Sequence, residues 1–236
     1  MEKGTIIELL TFLKAPHKFN YYSKFNSRFI FIVFFFCLPF NFLLGYIGQL
    51  NICKEFFGVT SNEVSKIISD KPFIIGFLLF GIILPVVEEF IFRYFLNTFW
   101  GSFFIFFGSI ALSLPLLFSI DNKITTQVIS PFIILIAIFI FIRINNSSLS
   151  KTKAAAFLNK YYPLFFYIIC VSFGLVHLSN YYFNRHIIIL PFTLVLPQIF
   201  MGMVFTYLRL RYGILSSIFL HILNNTFFFI FSYFLL

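Results

Sequence analysis

Charge is what this chain has least of. Eight acidic and seventeen basic side chains make up 11% of its 236 residues, where a soluble domain carries about a quarter. An ordinary soluble globular domain is therefore excluded. Cysteine is as scarce. Cys37, Cys53 and Cys170 form no CxxC and no close pair, so neither a zinc cluster nor a disulfide framework is indicated. No short apolar segment precedes a small-residue cleavage site in the mixed, polar first 27 residues, so no cleavable signal is expected. Also missing are a His-Glu-x-x-His metal motif and a Ser or Cys in a recognisable nucleophile arrangement.

What fills the space is hydrocarbon. Hydrophobic residues make up 60% of the chain, 41 of them Phe, and the mean hydropathy is +0.97. They run in long blocks without two- or 3.6-residue alternation, and a membrane span needs ~20 such residues. The expected fold is an all-α, polytopic transmembrane bundle of about seven spans. These lie near Arg28–Leu50, Pro72–Gly101, Ser102–Ile120, Val128–Ile142, Tyr161–Leu178, Ile187–Leu208 and Ile214–Leu236. Gly101 is expected to break the second span from the third, and Asp121-Asn122-Lys123 to turn the third into the fourth. The polar segments Asn51–Lys71 and Arg143–Lys160 are expected as loops. Residues 1–27 read as a basic tail with a short amphipathic helix on a membrane surface, ending before Pro16.

The basic residues are unevenly shared among the connections. With the N-terminus inside, eleven fall on inner segments and five on outer ones, leaving Arg93 inside a span. Positive charge stays on the cytoplasmic side, so N-in and C-out are expected. The same distribution assigns the net charge of +9 to topology, and no nucleic-acid partner is expected. No repeat, linker or second domain appears, so residues 1–236 read as a single membrane domain.

Three polar groups interrupt the spans. Glu88 and Glu89 are followed by Arg93, and burying such charges in hydrocarbon costs about 2.5–3.5 kcal/mol each or more. Glu89 and Arg93, four apart, share a helix face in the favourable acid-before-base order. Glu88 lies ~100° away around the helix and needs another reason to be there. The second group is Phe173-Gly174-Leu175-Val176-His177, where Gly174 lets a neighbouring helix approach. The third is His221 and Asn225, projecting from one face of the last span. Each group alone is compatible with interhelical hydrogen bonding. Together they supply an acid, two histidines and an amide from three spans. A carboxylate beside a histidine can take a proton from water, and a donor pair can stabilise an oxyanion.

These motifs, Glu-Glu-x-x-x-Arg at Glu88–Arg93, Phe-x-x-x-His at Phe173–His177 and His-x-x-x-Asn at His221–Asn225, occur in family order. The chain resembles the CPBP family (CAAX protease and bacteriocin-processing, or Abi) of intramembrane glutamic proteases, which includes the type II CAAX prenyl endopeptidases. The resemblance runs from Pro72 to the C-terminus, so 72–236 is the protease-like core. It implies that Glu88 and His177 activate water and that His221 and Asn225 form the oxyanion site. Glu89 and Arg93 support the first motif, and Phe173 shapes the site. It implies no metal and no cofactor, a peptide or protein substrate that is membrane-associated or lipidated, and a multi-pass location in a bacterial plasma membrane. Glu88 and His177 are 89 residues apart, wider than in many members, so the third and fourth spans read as an inserted hairpin. By these boundaries His177 lies farther out than Glu88 and His221, a mismatch that tilted helices or shifted boundaries must close. A zinc-dependent membrane protease and a non-catalytic membrane protein (transporter, immunity factor or assembly scaffold) are the alternatives.

Overall fold

The computed structural model describes residues 6–19, 23–49, 59–62, 72–94, 96, 98–118, 123–146, 148–183 and 192–235. Their order is helix α1 (Ile6–Lys14), α2 (Ser27–Gln49), strand β1 (Val59–Asn62), α3 (Phe73–Arg93), α4 (Phe99–Phe118), α5 (Lys123–Asn145), α6 (Ser148–Lys160), α7 (Tyr162–Val176), a 3-10 turn (His177–Asn180), β2 (Tyr181–Phe183), α8 (Phe192–Tyr212) and α9 (Ile214–Leu235). Five of these, α2, α3, α7 with its 3-10 turn, α8 and α9, are long and apolar enough to cross a membrane. The chain is a polytopic helical membrane protein. The blocks expected as third and fourth spans are α4 and α5, whose apolar segments Trp100–Ser113 and Ser130–Asn145 are shorter.

Several boundaries move. Gly101 lies inside α4, and the second and third blocks part between Arg93 and Phe99. Arg143–Lys160 is mostly helix, since Ala154, Ala155 and Ala156 with Lys and Leu neighbours favour it. The Asp121-Asn122 turn, Cys53, the expected start of the sixth span at Ile187 and most of the Asn51–Lys71 loop lie outside the described residues. Within that loop β1 pairs antiparallel with β2, Asn62 opposite Tyr181. The ribbon is the one strand pairing among the described residues, and it follows directly on the 3-10 turn that begins at His177.

The N-terminal segment is more than a surface tail. Leu9 and Phe12 are fully buried in the main core, with Phe12 against Phe166, Phe19 and Tyr207. The Glu8 carboxylate accepts from Arg211 Nε at 2.6 Å, and the Tyr167 hydroxyl donates to the Leu13 carbonyl at 2.7 Å. An amphipathic stripe can be buried by protein as well as by lipid, and here α8 and α7 supply the apolar partner.

α8 is the axis of the bundle, packed against α7, α2, α9 and α1. α4 packs on the outer side of α7, and α5 packs on α4. The hairpin therefore adds a flank and leaves α3, α7 and α9 to converge. Two local features shape α3. Its middle, Phe77–Ile83, winds as π-helix, with the Leu84 N–H donating to the Leu79 carbonyl. Its end is capped from α8: Arg209 Nε and Nη2 donate to the carbonyls of Arg93 and Tyr94 at 2.9 and 2.7 Å. A guanidinium there satisfies the open carbonyls of the last turn.

Candidate active site

Glu89 is the buried centre of the polar network. Its side chain is fully buried and Arg93, four residues on, is 1% exposed. Oε1 accepts from Arg93 Nη1 and from His221 Nδ1, the latter at 2.9 Å, while Oε2 accepts from the Ser217 hydroxyl. The guanidinium is fixed in turn, since Nε donates to Thr206 Oγ1 at 3.3 Å. Its carbon lies 4.2 Å from the Phe173 ring centroid and 5.3 Å from that of Phe205. A paired charge held by further donors and ring faces is the form in which an ion tolerates a dry interior.

Glu88 has a different setting. Its side chain is 25% exposed, and Oε2 lies 3.9 Å from His177 Nε2 and 3.6 Å from His221 Nε2. Both are too long for direct hydrogen bonds, and Oε2 has no such partner among the described residues. The outer nitrogens of both histidines are engaged. His177 Nδ1 lies 2.8 Å from the Phe173 carbonyl, which can only accept, so Nδ1 donates and Nε2 presents a lone pair. His221 Nδ1 faces the ionised Glu89 and donates likewise. Two histidine nitrogens thus face the Glu88 carboxylate, and a water set off either line can lie within hydrogen-bond reach of both its ends. Among the described residues no group of three His, Cys, Asp or Glu side chains is placed to hold a metal ion.

The expected depth mismatch is not found: the His177 and Glu88 side chains approach to 3.9 Å. The 15 residues of α7 end at Val176, and the backbone passes into the 3-10 turn at His177. Gly174 brings α7 onto α8. A β-carbon there would stand 2.2 Å from Ile199 Cγ1 and 3.1 Å from Ile199 N. Gly174→Ala is therefore expected to lower stability by about 1–3 kcal/mol and to draw His177 from Glu88. Thermal unfolding in detergent checks it; an unchanged midpoint means that α7 and α8 have room to spare.

Phe173 touches three members of the site: Arg93 by its face, and the rings of His177 and His221 with centroids at 4.9 and 6.1 Å. Asn225 donates from Nδ2 to the Phe80 carbonyl at 3.4 Å and accepts on Oδ1 from Asn224 Nδ2 at 3.4 Å. Six of the seven residues expected from sequence touch one another, while Asn225 is tied to Phe80 and Asn224. Four more were missed. Phe205 stacks on His221 at 4.3 Å, Thr206 binds Arg93, Ser217 binds Glu89, and Asn41 of α2 donates to Asn224 Oδ1 at 2.9 Å. Ser217 had a readable signal, standing four residues before His221 as His221 stands before Asn225. Phe205 had none among 41 Phe.

A separate cavity of about 470 Å³ lies between the end of α3 and α4, lined mainly by Ile91, Phe92, Phe104, Ile105 and Leu112. It is apolar, and Phe92 joins it to the site, its ring 5.2 Å from that of Phe173.

Compared with known proteins, residues 70–227 match the family model described as "Type II CAAX prenyl endopeptidase Rce1-like". No curated protein and no solved structure matches the chain. The matched range holds all three motifs and most of α3 through α9. The chain belongs to the Rce1-like family of type II CAAX prenyl endopeptidases.

Proposed function

We propose that this protein is an intramembrane endopeptidase that hydrolyses a membrane-associated or lipidated peptide with water activated by Glu88 and His177. The observation that carries this reading is the convergence of His177 Nε2 and His221 Nε2 on Glu88 Oε2 at 3.9 and 3.6 Å. Water bound there is held by the carboxylate and by the His177 lone pair. Glu88 takes one proton as the water oxygen attacks the scissile carbonyl, then returns it to the leaving amide nitrogen, so the cycle is balanced. The oxyanion is met by Asn225 Nδ2–H and by the His221 ring, which Glu89 Oε1 holds in place through Nδ1. The apolar cavity beside Phe92 suits a hydrophobic portion of the substrate.

The reading is tested with purified protein in nanodiscs, given a farnesylated peptide ending in a CAAX tripeptide and its unprenylated twin. Release of the tripeptide, unaffected by chelator, is expected. Loss of activity on chelation with recovery on adding zinc replaces this scheme by a zinc-bound nucleophile. An intact peptide, with no precursor accumulating in cells that carry Glu88→Gln, leaves a non-catalytic membrane protein.

A further inference from the structure

We infer that Asn41, in the first membrane helix, is a positioning residue for the Asn225 amide and acts through Asn224. The inference rests on the proposed role of Asn225 as an oxyanion donor. Between Arg28 and Gln49 of α2, Asn41 is the one side-chain amide, and it is 4% exposed. An amide buried among apolar groups carries a desolvation cost that Leu at the same place avoids. Its NH2 group is used, donating to Asn224 Oδ1 at 2.9 Å across 183 positions of sequence. Its own Oδ1 has no hydrogen-bond partner among the described residues. Asn41 is held for what it donates.

The effect is directional. Asn224 and Asn225 are neighbours on α9 and point ~100° apart. With its oxygen bound to Asn41, Asn224 can offer only its NH2 group to Asn225, and that group lies 3.4 Å from Asn225 Oδ1. The Asn225 oxygen is thereby occupied and its NH2 turned the other way. One hydrogen goes to the Phe80 carbonyl at 3.4 Å; the second remains for substrate. Phe80 can accept because it lies in the π-wound stretch of α3. The N–H five residues on, its natural partner there, belongs to Pro85, which has none. Amides linked in one sense polarise one another, so each donor before Asn225 strengthens its remaining N–H. Gly81 keeps the two helices close enough, since a β-carbon there would meet Thr226 Cγ2 at 2.8 Å.

The test is a double-mutant cycle on the farnesylated CAAX peptide, with kcat, KM and unfolding midpoint measured for wild type, Asn41→Leu, Asn225→Ala and the pair. Asn41→Leu is expected to lower kcat about five- to tenfold, the worth of one such hydrogen bond, with KM unchanged. In the Asn225→Ala background it is expected to have no further effect, because a residue acting through Asn225 is silent without it. Asn41→Ala, which removes the donor without introducing another polar group, is expected to match Asn41→Leu. A wild-type kcat for Asn41→Leu, or an equal loss in both backgrounds, overturns the inference and leaves Asn41 as packing. So does failure of both Asn41 variants to fold. Full activity of Asn225→Ala removes the oxyanion role and this inference with it, and a peptide left whole by wild type removes the peptidase reading first.

Discussion

Glu88→Gln is expected to lower turnover by roughly 10²–10⁴-fold, the usual worth of a positioned general base, while the protein folds as before. The amide is nearly isosteric, and Glu88 takes no part in the ion pair. Its Oε2 faces two histidine nitrogens without bonding to either. A glutamine there cannot take a proton from water, and Glu89 cannot replace it because it is consumed by Arg93, His221 and Ser217, which leaves the His177 lone pair alone on the water. The measurements are single-turnover cleavage and thermal unfolding, side by side in the same nanodiscs. Wild-type turnover in Glu88→Gln removes the proposed mechanism.

The neighbouring substitution is expected to fail differently. Glu89→Gln leaves the Arg93 guanidinium, 1% exposed, without its counter-charge. Removing one partner of a buried pair costs about 3–5 kcal/mol. The ring faces of Phe173 and Phe205 at 4.2 and 5.3 Å hold part of the charge, so the lower end of that range is expected in thermal or denaturant unfolding. Activity falls as well, since His221 is left with a neutral amide oxygen in place of the carboxylate that orients it. The double variant Glu89→Leu with Arg93→Met is expected to regain most of the stability, an apolar pair being tolerated where a broken ion pair is not, and to stay poorly active. A Glu89→Gln protein as stable as wild type means that the pair is not the structural anchor. Adjacent carboxylates thus separate, one measured in turnover and the other in unfolding.

That separation was legible before any coordinates, because it follows from helical spacing. Glu89 and Arg93 share a face and Glu88 does not. The motif residues were legible for a related reason. A charge or imidazole in hydrocarbon stands out against its surroundings, and each of Glu88, Glu89, Arg93, His177, His221 and Asn225 interrupts an apolar run. Phe173 was found only through its place in a motif. Thr206 was passed over because a hydroxyl in a membrane helix bonds its own backbone at little cost, as Thr206 does to the Gly202 carbonyl, and Ser217 because its spacing from His221 was its one signal. Asn41 was overlooked because its span carries no motif. The docking of the N-terminal helix was not legible, because a stripe of Ile and Leu in a basic tail does not say whether lipid or protein will cover it.

By itself the sequence determined a helical membrane protein, the residues of its polar site and the division between the two glutamates. All of these rest on local periodicity and on the cost of polar atoms in hydrocarbon. Only the tertiary structure decided that His177 meets Glu88 across helices. It also decided that α1 docks on α8, that His221 lies between both carboxylates, and that an asparagine of the first membrane helix reaches Asn224. Those features depend on where helices stop and on which faces meet. Such distances are set by packing between segments far apart in the chain, and no spacing within a single segment encodes them.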